Sequence, residues 1–202
     1  MAVVTDEPDE PTLSERLEEW FTSDRPKTLG DLVETFGSQS FALLFVVMMA
    51  FPALPLPTGG LSHVLEILTM LLALELVVGR HDVWMPKRFQ RRELKVLAGS
   101  RFSELLLKRI RWFERLARPR WARLLRLRLT GMAVGLIVLV LTLAAFLSPP
   151  FSGLDTLPSM GVVVVGLGIL FGDVVVVGAG VTIGIVGVAV VIGLGSAIFT
   201  LL

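Results

Sequence analysis

Apolar residues fall into two kinds of pattern along this chain. Near the N-terminus they recur every three or four positions. Leu13, Leu17, Trp20 and Phe21 share one helical face, and Thr12 and Glu15 are spaced to form a capping box. Leu29, Leu32, Val33 and Phe36 make a second stripe after Thr28, with Gly37 placed to close that helix. Stripes of this kind dock on a protein core or lie on a membrane surface, and the pattern alone leaves both open. From residue 41 the periodicity gives way to continuous apolar runs.

The first run, Phe41 to Leu56, has 16 residues. At about 1.5 Å per residue it reaches roughly 24 Å, short of a ~30 Å hydrocarbon core. It dissolves into the Pro- and Gly-rich stretch 51–60. The second run, Leu61 to Val78, carries Glu66 and Glu75. The two form a hairpin that either spans twice or enters and returns. The third run, Leu129 to Leu147, is long enough to cross, and the Pro-containing stretch 148–159 breaks it. The fourth, Met160 to Phe171, is short and is followed by Gly172 and Asp173. The last, Val174 to Leu202, is one tilted helix or two short pieces.

Charge sharpens this picture. All 19 Lys and Arg precede Thr130, and 16 of them lie between Arg80 and Arg128. After Arg128 only Asp155 and Asp173 are charged. A charged group in hydrocarbon costs several kcal/mol, so so long a stretch nearly free of charge belongs in lipid. A mean hydropathy of +0.75 agrees. The basic stretch contains an amphipathic helix. Phe102, Leu106, Ile110, Phe113 and Ala117 share one face, Lys108, Arg109, Arg111, Arg115 and Arg118 take other positions, and Pro119 ends it. Such a cluster favours the cytoplasmic side, and its basic face suits anionic lipid.

The expected architecture is all-α and polytopic, with two Pro-broken helical hairpins. The order run, break with Gly, run, charged stop occurs at 41–82 and again at 129–173. Interrupted segments in matching places suggest an internal, inverted repeat. The alternative is that Pro and Gly mark two ordinary turns. Four segments follow: 1–27, an acidic tail and amphipathic helix; 28–82, a first membrane half; 83–128, a basic linker; and 129–202, a second membrane half.

Some of these residues resemble a known family. Leu29-Gly30-Asp31-Leu32, the Pro-Ala-Leu-Pro-Leu-Pro turn at 52–57, Leu76-Val77-Val78-Gly79-Arg80, Trp84-Met85-Pro86, and the break Pro149-Pro150-Phe151-Ser152-Gly153 before an apolar run are similar to the ExoD exopolysaccharide-synthesis family. The resemblance covers roughly 28–202. It implies a small bacterial inner-membrane protein linked to exopolysaccharide production, and it brings no catalytic residue with it. The paired, broken hairpins also resemble DedA-type membrane proteins in architecture alone.

The residue inventory argues against several chemistries. With His63 and His81 the sole histidines there is no HExxH helix, and there is neither a P-loop nor a DxD motif. Cysteine is absent, so thiol chemistry is excluded. No catalytic residue, metal or cofactor is expected. The pairs Gly131/Gly135, Gly168/Gly172 and Gly180/Gly184 read as helix-packing surfaces. The candidate site lies with the ionisable residues inside the apolar runs: His63, Glu66, Glu75, Asp155 and Asp173. His63 and Glu66, three apart, share a face, whereas Glu75 turns to the opposite side. One reading is a proton- or cation-linked pocket between the halves. The other pairs Glu75 with Arg80 and makes Asp155 a helix cap. The partners expected are anionic lipids and a small-molecule, ionic or lipid-linked substrate, with no nucleic acid. Self-association is left open. Transport or lipid-carrier handling is the leading function, and a non-catalytic scaffold for polysaccharide assembly is the alternative.

Overall fold

The structure, a computed structural model, describes residues 12–23, 25–54, 60–80, 83, 100–116, 125, 127–149 and 152–201. The acidic tail 1–11, residues 55–59 and 150–151 of the two breaks, His81, and residues 84–99, 117–124 and 126 of the linker 83–128, among them Trp84-Met85-Pro86, Ala117, Arg118 and Pro119, lie outside the described residues. Those described form eight α-helices and no strand: α1 (Leu13–Thr22), α2 (Leu29–Phe36), α3 (Ser40–Ala50), α4 (Gly60–Val77), α5 (Ser100–Leu116), α6 (Arg128–Phe146), α7 (Thr156–Leu170) and α8 (Val174–Leu201). A 3-10 turn, Gly37–Gln39, links α2 to α3.

The N-terminal stripes dock on protein. The capping box forms, with Thr12 Oγ1 accepting from Glu15 N and Glu15 accepting from Thr12 N. Leu17, Trp20, Leu32 and Phe36 are buried. The Trp20 indole donates to Asp31, which ties α1 to α2, and Arg16 donates to the Thr35 carbonyl at 2.8 Å. α1 also packs on α5, whose Leu106 and Ile110 are buried. Ser14 donates to Glu114 across that contact. α5 ends at Leu116.

Three helices are long and apolar enough to cross a membrane: α4, α6, and α8 over Val174–Leu194. Each turns an apolar stripe outward. On α4, Val64, Ile67, Leu71 and Leu74 are between 44% and 54% exposed, while Ser62, Glu66, Thr69 and Ala73 face the interior. A helix with its polar groups inside and its aliphatic groups outside is built for lipid. α8 is one continuous helix.

α3 and α7 are shorter, about 16 Å and 22 Å at the helical rise. They lie side by side at the centre. α3 is apolar on every face, and its residues from Ser40 to Met49 are all buried, the mark of a core helix. Glycines set the approaches. A Cβ on Gly166 would lie 3.0 Å from the Ala42 carbonyl, and one on Gly135 would lie 3.0 Å from the Ala73 carbonyl. Gly180 and Gly184 meet α7 and α6, so the expected glycine faces are real contacts. Gly172 differs from them. With φ of +66° it terminates α7.

The directions of the helices correct one expectation. α4 and α6 are antiparallel, because Gly135 meets Ala73 near one end and Phe146 meets His63 near the other. α3 and α7 are also antiparallel: Gly166 meets Ala42 and Val46, and Gln39 shares a cavity with Ile169 and Leu170. The breaks after α3 and after α6 therefore lie at the same end. The hairpins 41–82 and 129–173 run the same way and are not inverted copies of each other. The physical reason is that a hairpin returns the chain to its starting side, so α6 must set out as α3 did.

Candidate functional site

The two breaks bring four helix ends together: the end of α3, the start of α4, the end of α6 and the start of α7. Polar side chains converge there. Glu66 lies on the inward stripe of α4, roughly 9 Å along the helix, and is fully buried. His63 is one turn earlier and partly exposed, with Nδ1 3.6 Å from Glu66 Oε2. That separation is too long for a hydrogen bond. The His63 ring stacks obliquely on Phe146, with centroids 5.2 Å apart.

α6 and α7 contribute hydroxyls. The α4–α6 register places Thr142 across from Glu66, and Thr142 is fully buried. Ser159, in the first turn of α7, is buried as well. His63 Nδ1, both Glu66 oxygens, Thr142 Oγ1 and Ser159 Oγ have no hydrogen-bond partner among the described residues. Thr69, one turn beyond Glu66, is by contrast satisfied by the Leu65 carbonyl at 2.8 Å. Asp155 is half-buried and near enough to act electrostatically on both Glu66 and His63. It occupies the N-cap position of α7, with no side-chain bond to the second or third helical N–H but with its carboxyl close to the backbone N–H groups of Asp155 and Thr156.

Of the five candidate residues, His63, Glu66 and Asp155 come together. Glu75 and Asp173 belong to the opposite end. Glu75 is half-buried in the last turn of α4, and its backbone carbonyl accepts from Arg80 N. Asp173 is 3% exposed and caps α8, with Oδ1 accepting from Val175 N at 2.9 Å. The sequence reading passed over Thr142 and Ser159. Thr142 carried a signal, as a hydroxyl inside an otherwise aliphatic stretch on the inward face. Ser159, beside the Pro-rich break, read as part of a turn.

The basic candidates on α5 lie elsewhere. Lys108, Arg109, Arg111 and Arg115 are exposed, and Arg111 pairs with Glu18 of α1. Arg118 lies outside the described residues.

The family model for ExoD, exopolysaccharide synthesis, matches residues 13–193, from α1 through most of α8. The chain belongs to the ExoD family. The docked layer of α1 is thus part of the ExoD unit, which begins earlier than the resemblance at residue 28 suggested. An uncharacterized protein of Synechocystis sp., slr1875, is 28% identical over 186 residues, covering 89% of this chain and 87% of its own. No solved structure matches. ExoD membership gives the protein a role in exopolysaccharide synthesis, and its three long apolar helices make it a membrane protein.

Proposed function

We propose that this ExoD-family protein sits in the bacterial inner membrane and moves or handles a substrate of exopolysaccharide synthesis, using the Glu66 cluster as a proton- or cation-linked site. One observation carries the reading: Glu66 is fully buried, and neither of its oxygens has a hydrogen-bond partner among the described residues. An unsatisfied buried polar group costs about 1–3 kcal/mol, more if charged. Placed in a membrane-spanning helix, such a carboxylate is a mark of function. A proton, a cation or a polar substrate group would satisfy it together with Thr142 and Ser159.

The arrangement of helices supports alternating access. The short-then-long pairs α3–α4 and α7–α8 run in opposite directions, with the short members packed together at the centre. Opposed broken pairs around a central polar site are the pattern of inverted-repeat carriers. The basic stretch from Arg80 to Arg128 joins α4 to α6, and a basic cluster of this size favours the cytoplasmic side for that end. The Glu66 cluster then lies toward the far side.

The test is exopolysaccharide output in a host lacking its own copy. Glu66→Gln keeps the size of the side chain but removes its ionisation and replaces one acceptor oxygen with an N–H donor. It should abolish complementation while the protein still inserts at normal levels. Glu75→Gln should do less. Full complementation by inserted Glu66→Gln would sink the proton-site reading and leave a scaffold for polysaccharide assembly.

A further inference from the structure

At the end of the bundle away from Glu66, a cavity of ≈ 540 Å³ opens between the starts of α3 and α6 and the ends of α4 and α7. That volume is ordinary for a small-ligand site. Gln39, Arg80 and Arg128 supply its polar side chains, and Phe41 and Phe45 its aromatic wall. The two helix C-termini present carbonyls that are already used. Arg80 N donates to the Glu75 carbonyl at 3.1 Å and Gly79 N to that of Leu76 at 2.9 Å. Asp173 N donates to the Gly168 carbonyl at 2.8 Å and Gly172 N to that of Ile169 at 3.2 Å. Both ends are Schellman motifs, so little negative character is left facing the cavity.

The remaining groups favour an anion. Leu127, the N-cap of α6, offers no side-chain cap bond, so the first-turn N–H groups of α6 present the positive end of the helix. The Arg128 guanidinium lies against Gly79, where a Cβ would come within 2.7 Å of Nε. Both arginines are exposed at the cavity rim. The Gln39 side-chain carbonyl oxygen is buried there with no hydrogen-bond partner among the described residues. The acids adjoining the rim in sequence are Asp173, which accepts from Val175 N to cap α8, and Glu75, half-buried one turn before Gly79. Apolar surface continues outward from the cavity: Leu127 is 52% exposed and Leu129 78%. A soluble anion has no use for that surface, whereas a lipid chain does.

We propose that this cavity binds the phosphate-bearing headgroup of an anionic membrane lipid. The Arg128 guanidinium pairs with the phosphate, Arg80 adds positive charge at the same rim, the buried Gln39 oxygen accepts from the hydroxyl left on the phosphate, and the chains run out over Leu127 and Leu129. Guanidinium–phosphate pairs are strong and geometrically specific because two N–H groups meet two oxygens. The site is separate from Glu66 and lies at the opposite end of α4, roughly 20 Å along the helix axis.

Titration of the purified full-length protein in neutral detergent with dihexanoyl phosphatidic acid tests this, with dihexanoyl phosphatidylcholine and inorganic phosphate as the other arms. Phosphatidic acid should bind, and phosphatidylcholine at least about tenfold more weakly. Arg128→Gln should weaken phosphatidic acid binding about tenfold, and Arg80→Gln less, at unchanged helix content. Glu66→Gln should bind like wild type, which keeps this outcome separate from the complementation result. If Arg128→Gln does not fold, Arg128→Lys, which keeps the charge but loses the two-pronged donor, and Gln39→Leu decide by the same weakening. Unchanged affinity in the folded variants, or equal binding of phosphatidylcholine, overturns the assignment. Displacement of phosphatidic acid by millimolar inorganic phosphate would point to a soluble phosphate and overturn the lipid source.

Discussion

Replacing Gly161 with alanine tests how the core of this bundle is held. Gly161 lies on α7 where α8 crosses it closely. A Cβ there would sit 2.6 Å from the Gly184 Cα, 2.7 Å from its N and 3.0 Å from the Gly180 carbonyl. All three are backbone atoms, so no side chain can swing aside. The two helices must separate by roughly 1 Å, and overpacking of this kind costs about 1–3 kcal/mol. Alanine also favours the helix over glycine by about 1 kcal/mol, which hides part of the loss. Gly178→Ala removes that ambiguity. It lies on α8, with nothing within 4 Å of its would-be Cβ, so it receives the propensity gain alone. The two variants should therefore differ by about 1–3 kcal/mol, with Gly161→Ala the less stable. At about 2–4 °C per kcal/mol for a chain of this size, their melting midpoints should differ by roughly 2–12 °C. Thermal melting in detergent, followed by helical circular dichroism, measures this. Midpoints within about 1 °C of each other would refute the claim that α7 and α8 meet backbone to backbone.

Two further outcomes follow from other parts of the fold. The chain has no cysteine, so single cysteines can be introduced without background. A cysteine at Lys108, exposed on α5, should react with a membrane-impermeant maleimide only after the inner membrane is opened. One at Ser152, exposed in the turn before α7, should react in intact spheroplasts, and the reverse labelling would overturn the proposed orientation. Gly79→Ala places a Cβ at a residue with φ of +82° and within 2.7 Å of Arg128 Nε. The left-handed backbone alone should cost roughly 1–2 kcal/mol, read as a lower melting midpoint, and no loss of stability would argue against the Schellman end of α4.

Much of the fold was legible because lipid imposes simple rules on sequence. The apolar runs, their Pro- and Gly-rich interruptions and the abrupt end of basic charge at Arg128 place every long helix to within a residue or two. Thr12 and Glu15, Thr28 and Gly37 mark local caps, which depend on neighbours only three or four residues apart. The docking of α1 and α2 was not legible, since an amphipathic face looks the same whether it meets lipid or α5. Whether the two broken hairpins run the same way was not legible either, because spacing carries no sign; direction comes from counting crossings. His63 and Glu66 announced themselves as charges in an apolar run. The approach of Asp155 to them, and the register that sets Thr142 across from Glu66, did not, because these residues belong to α4, α6 and the start of α7 and share one end only through the antiparallel seating of those helices. The cavity formed by Gln39, Arg80 and Arg128 depends on the same packing. Sequence determined which segments enter lipid, because burial in hydrocarbon is decided residue by residue. Tertiary structure decided which polar groups share a site, because that depends on how the helices pack.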